Sequence, residues 1–159
     1  MESRMSDPNQ LVPELRQVPG VLYKAVLNGS VPQPTITLVW LRAGQIAGNT
    51  YLTFRHTAAL RKAGESEERI TAVASWWDAP HFTAAERAAL ALVEAVFQPS
   101  ARGERVPDEL YAEASKHYDE KALATLMIAI GTAGFWLAVA LIGKPRPGVP
   151  DSESWKAWI

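Results

Sequence analysis

Twenty consecutive residues without a charge, Leu123 to Ile142 (LATLMIAIGTAGFWLAVALI), run between Lys121 and Lys144. As a helix they would cover about 30 Å, enough to cross a bilayer. The other environment that accepts such a segment is the inside of a helical bundle or the centre of an oligomer, where the helix is buried on all sides. The run is rich in Ala and Gly, which lets neighbouring helices approach closely. Everything upstream patterns as the amphipathic helices of a soluble protein. The segment is therefore read as a buried helix, with no membrane partner.

Length and composition agree with that reading. The chain has 159 residues, which suits one domain with a single core, and its 48% apolar and 21% charged residues are ordinary for a soluble protein. A formal net charge of −1 gives no basic footprint for nucleic acid. There is no cysteine, which excludes disulfides and thiolate metal sites. The first residues, MESRMSDPNQ, form no apolar signal-peptide core, so a cytoplasmic location is expected.

In chain order, residues 1–17 read as an extended arm with at most one turn of helix. Residues 18–148 read as the domain, and residues 149–159 as a polar tail in which Trp155 and Trp158 need a surface to dock on. Helices are predicted over 18–27, 35–47, 49–63, 66–77, 83–97, 107–117 and 119–143. Asn28-Gly29, Gly48 and Gly64 supply stop signals. Asn49, Ser66 and Asp119 supply N-caps, Thr83 with Glu86 a capping box, and Pro107 a first helical position. The stretch Thr35, Ile36, Thr37 and Val39 also suits a strand by its β-branched residues. The fold class is all-α, a single-domain bundle of about six or seven helices.

The stretch with most chemical content is Arg42 to Thr57 (RAGQIAGNTYLTFRHT). His56 lies seven residues after Asn49, which returns it to the same helix face as Asn49 and Leu52. Three side chains of different chemistry thus share one stripe at a helix mouth, as a reaction site or as plain core.

This stretch and most of the chain from Leu11 to Gly148 resemble the carboxymuconolactone decarboxylase and alkylhydroperoxidase D-like family. The segments that carry the resemblance are GQIAGNTYLTFRHT, KAGESEERI, Trp76, APHFT, ERAALALVEA and VPDELYAEASKHYDEKALATLMIAI, in order. The resemblance settles residues 35–47 as helix, and implies a trimer or hexamer with sites near subunit contacts. In redox members two cysteines open the central helix. Here the matching positions are Asn49 and Leu52, and a proton-relaying glutamate corresponds to Thr37. With no sulfur nucleophile, thiol peroxidase chemistry is excluded.

The resemblance makes His56 the candidate catalytic residue, as an imidazole able to take or give a proton near neutral pH. Asn49 and Tyr51 are candidates to position substrate or stabilise developing negative charge. The plainer alternative for Asn49 is an N-cap, and for His56 a packed core histidine. Tyr23, Thr37, Gln45, Leu52, Trp136 and Leu137 are candidate substrate-binding residues. The change from a family cysteine to Leu52, and from polar family residues to Leu137 and Ala138, implies a dry, apolar pocket. Of the adjacent Trp76 and Trp77, one is expected in the core and the other at a rim. No metal site is expected from three histidines without i,i+4 pairing, and no cofactor. The expected function is a redox-independent lyase or isomerase. It would act by acid/base chemistry (decarboxylation, isomerisation or cyclisation) on a small, largely apolar carbonyl or carboxylate compound. The alternative is a non-enzymatic ligand-binding or scaffold protein.

Overall fold

The computed structural model describes residues 3–98 and 103–148, all in helices and their connections. Eight α-helices follow in order among them: α1 (Pro8–Leu11), α2 (Val18–Val26), α3 (Gln33–Ile46), α4 (Thr50–Lys62), α5 (Glu67–Ala72), α6 (Ala84–Phe97), α7 (Asp108–Ser115) and α8 (Glu120–Gly143). The N-terminal arm holds more structure than expected, since α1 is capped by Asp7 and a 3₁₀ turn at Pro13–Gln17 follows it. Trp155 and Trp158 lie outside the described residues.

The caps fall where local chemistry puts them. Asn49, Ser66 and Asp119 each accept the N–H three residues on, and Thr83 and Glu86 form the reciprocal box. Gly48 and Gly64 take φ of 61° and 87° behind α3 and α4, a region that costs glycine nothing. Several boundaries differ from expectation, α3 starting at Gln33 rather than at Thr35. The helix after Ser66 tightens at Val73–Ser75 into a 3₁₀ turn instead of reaching Trp77. Pro107 stands at the N-cap, one position before the helix, and that helix ends at Ser115.

The helix surrounded on all sides is α3, not α8. Every residue from Thr35 to Gly44 is buried, which is why this segment shows no clean period. One face of α3 (Ile36, Val39, Trp40, Ala43) enters a large core shared with α6 and α8. The opposite face (Leu38, Leu41) enters a smaller core with Leu60, Ile70, Val73 and Leu90. Each such aliphatic side chain, fully buried, contributes about 2 kcal/mol. The uncharged α8 is half covered by its own chain: Leu126, Ala129, Ala133 and Leu137 face inward, while Met127 is 67% and Ile142 63% exposed.

Most polar groups on α3 find partners within the bundle, Arg42 Nε being buried without one. Thr37 Oγ1 donates back to Gln33 O at 3.0 Å, and Trp40 Nε1 donates to Ala129 O of α8 at 3.0 Å. Arg42 donates to Ala74 O at 3.1 Å and pairs with Glu94 of α6, whose other oxygen accepts from Trp76 Nε1 at 2.6 Å. Trp77, 57% exposed, lays its ring over the Arg42 guanidinium at 5.4 Å. Trp76 is half-buried against the smaller core, so it is the inner of the two tryptophans.

Candidate functional site

The predicted stripe on α4 is real. Asn49, Leu52 and His56 are 8%, 3% and 6% exposed, whereas Phe54 on the other side is 54% exposed. The reason is the close packing of α4 on α3. A Cβ placed on Gly44 would stand 3.1 Å from Thr53 N and 3.3 Å from Leu52 Cβ, so only glycine lets the helices meet this closely.

His56 faces Trp40 of α3, with ring centroids 5.5 Å apart and planes tilted by 39°. Tyr23 of α2 meets the same indole edge-on, also at 5.5 Å. The three rings form a row across α2, α3 and α4. Among the described residues no hydrogen bond reaches the imidazole, and the Tyr23 hydroxyl is buried without a hydrogen-bond partner. Tyr51 and Arg55, one turn apart on α4, complete the group, with Arg55 donating to the Tyr51 hydroxyl at 3.4 Å.

The electrostatics follow from burial. Loss of hydration lowers the His56 pKa to about 3, with the Arg55 charge adding to the shift, so the imidazole is neutral at physiological pH. Burial raises the Tyr23 phenol far above its ordinary value, partly offset by Arg55, so it stays protonated and able to donate. The site thus pairs a neutral acceptor nitrogen with a neutral donor hydroxyl, and Arg55 supplies the nearby charge.

Not every predicted residue joins this group. Asn49 Oδ1 accepts from Leu52 N at 2.9 Å; its carbonyl oxygen is engaged as the helix cap. Gln45 turns to Arg42 at 3.5 Å, towards Glu94. The Thr37 hydroxyl is turned back on its own helix. Leu52, Trp136 and Leu137 are buried in the large core, which Tyr23 and Tyr51 also pack against. Two residues of the group were missed. Trp40 is one turn from Thr37 on α3, and Arg55 is four residues from Tyr51, so helical spacing could have found both. Two grooves, of about 620 and 520 Å³, lie elsewhere, and His56 lines neither. Among the described residues no group of three or more His, Asp or Glu side chains is placed to hold a metal.

The fold and the sequence place this architecture in a known class. The model of the carboxymuconolactone decarboxylase family matches residues 13–95, and the chain belongs to that family. It is 31% identical over 133 residues to the uncharacterised protein YdfG of Bacillus subtilis (strain 168), covering 83% of this chain and 88% of the relative. A solved structure from Agrobacterium tumefaciens, a protein of unknown function provisionally described as the antioxidant defence protein AhpD, superposes with a TM-score of 0.83 at 26% identity. That match covers 94% of this chain and all of the other. The debrominase Bmp8, as a cysteine-to-alanine variant in complex with 2,3,4-tribromopyrrole, shares the fold at a TM-score of 0.72 and 20% identity, over 83% of this chain and 70% of its own. The fold is thus one used by enzymes that act on small molecules.

Proposed function

We propose that this chain is a redox-independent enzyme of the lyase or isomerase type, assembled as a homo-oligomer (trimer or hexamer). Its substrate is a small, largely apolar carbonyl or carboxylate compound, bound against the row of Tyr23, Trp40 and His56. The observation that carries this reading is the pairing of two buried, neutral polar groups on one indole: a hydroxyl without a partner and an imidazole without a hydrogen bond. The Tyr23 hydroxyl, buried and unsatisfied, costs about 1–3 kcal/mol, a cost that a ligand bonding to it removes.

In this reading His56 takes a proton from the carbon next to the carbonyl. The Tyr23 hydroxyl donates to the oxygen on which negative charge develops, and Arg55 stabilises that charge. A base with a pKa of about 3 is weak in the empty site. An anionic or enolising substrate beside it favours the imidazolium and raises that value. The 2,3,4-tribromopyrrole held by Bmp8 supports a small, flat, apolar ligand as the kind of molecule this fold accommodates.

A second reading, a ligand-binding protein without turnover, draws on a different observation: Asn49 is engaged as a cap and His56 is a poor base as it stands. The two readings separate in one series. Native mass spectrometry of protein purified from its host identifies the carried-over molecule, and turnover of that molecule is then measured. For an enzyme, His56→Ala lowers the rate about 10²-fold or more and Tyr23→Phe lowers it further than it weakens binding. Binding without turnover in the wild type, or a rate unchanged by His56→Ala, removes the proposed mechanism.

A further inference from the structure

The groove of about 520 Å³ opens where the first turn of α3 meets the start of α6 and the turn into α8. Thr35 of α3 lies in its wall and is only 4% exposed. Among the described residues four threonines are buried. Three of them, Thr37, Thr125 and Thr132, donate to the carbonyl four residues back at 2.8–3.0 Å. Thr35 does not, because four residues back from it stands Val31, outside the helix. Among the described residues no hydrogen bond reaches its hydroxyl or its backbone N–H. Helix α3 also has no side-chain cap: Pro32 stands at the N-cap, and Pro34 has no N–H to offer. The helix therefore brings to this groove a buried hydroxyl and an N–H without partners, at the positive end of its dipole.

The same groove carries the opposite sign. Glu65 and Glu86 both line it and share one cation, Arg69. Asp119, also in the wall, gives one oxygen to Ala122 N at 2.8 Å as the cap of α8. Two carboxylates on one guanidinium and a third beside them leave the groove with an excess of negative charge. A simple anion would suit the end of α3 and be repelled by these carboxylates. A simple cation would suit the carboxylates and leave the Thr35 N–H unanswered. One kind of small molecule satisfies both. We infer that this groove is a second ligand site, and that it takes a free α-amino acid with a small apolar side chain. The carboxylate accepts from the Thr35 hydroxyl and N–H, and the ammonium lies towards Glu65 and Asp119. The side chain rests on Pro32, Pro34 and Ala85 of the wall. The volume lies within the range of about 300–1,000 Å³ usual for small-molecule pockets. His56 does not line this groove, so the site is separate from the Tyr23–Trp40–His56 row and does not depend on chemistry there.

L-Valine and its two halves make the test direct. In isothermal titration calorimetry of the full chain, L-valine should bind. Isovalerate, which lacks the ammonium, and isobutylamine, which lacks the carboxylate, should each bind about 10-fold more weakly or worse. Thr35→Val should cost L-valine about 10-fold in affinity, while Thr35→Ser, which keeps the hydroxyl, should bind it as the wild type does. The valine substitution removes no internal hydrogen bond, so its melting temperature without ligand should match or exceed that of the wild type. Glu65→Gln should weaken L-valine and spare isovalerate. His56→Ala should bind L-valine unchanged, whatever it does to turnover. No binding of L-valine at millimolar concentration would overturn the inference, as would isovalerate or isobutylamine binding as tightly as L-valine. So would full affinity in Thr35→Val, an effect of Glu65→Gln on both acids alike, or loss of L-valine binding in His56→Ala.

Discussion

Asn49 takes the plainer of its two expected roles, the N-cap of α4. Its oxygen holds Leu52 N–H at 2.9 Å, and its backbone N–H bonds Gly44 O at 2.9 Å, so it fixes the turn between α3 and α4. Asn49→Ala should cost about 1 kcal/mol in urea denaturation, while Asn49→Ser, which also caps, should cost little. If Asn49→Ser stays stable yet loses turnover, the amide also serves the substrate. His56 makes a prediction of a different kind. Its folded pKa, about 3, lies below its ordinary value of 6.5. Burial of the neutral ring therefore adds its full share of stability above about pH 6.5 and loses it as pH falls towards 3. Within that window each pH unit costs up to about 1.4 kcal/mol. The slope of urea midpoint against pH from 7 to 4 should be steep in the wild type and shallower in His56→Gln. Equal slopes would show that the ring protonates freely in the folded state.

Among the elements, α3 carries most of the consequences because it touches both cores. Arg42 and Glu94 tie it to α6, and Ala74 and Trp76 tie in the 3₁₀ turn. Their side chains are 8% and 16% accessible, so removing one partner strands the other away from water. Arg42→Met should lose about 3 kcal/mol, and the double change Arg42→Met with Glu94→Leu distinctly less. Denaturation midpoints of the single and double variants decide it. The α3–α4 contact is equally specific. Gly44→Ala places a methyl 3.1 Å from Thr53 N, a backbone atom that cannot rotate away. A loss of about 1–3 kcal/mol should follow, with the His56–Trp40 contact disturbed. These helices were legible where their signals are local: Gly48, Asn49, Ser66, the Thr83–Glu86 box and Asp119 each act within one turn. The α3 interior was not legible, since a helix buried all round loses its period and Thr35, Ile36 and Val39 look like strand.

For the whole molecule, α8 leaves Met127 and Ile142 exposed on its outer face. If copies of the chain associate through this face, the melting temperature rises with protein concentration in the wild type and stays flat in Met127→Glu; calorimetry across a dilution series reads this directly. The sequence by itself determined that the chain is all helix, that it belongs to a family whose sulfur chemistry it lacks, and that Asn49, Leu52 and His56 share one face. Caps, glycines and periodicity act over a few residues, and a missing cysteine needs no coordinates. Only the tertiary structure decided which helix is enclosed, α3 rather than the more apolar α8. It also decided that the partners of His56 are Trp40 and, beyond it, Tyr23, residues 16 and 33 positions away in the chain. The physical reason is that enclosure and desolvation belong to the packing of several helices together, and no single stretch of residues contains them.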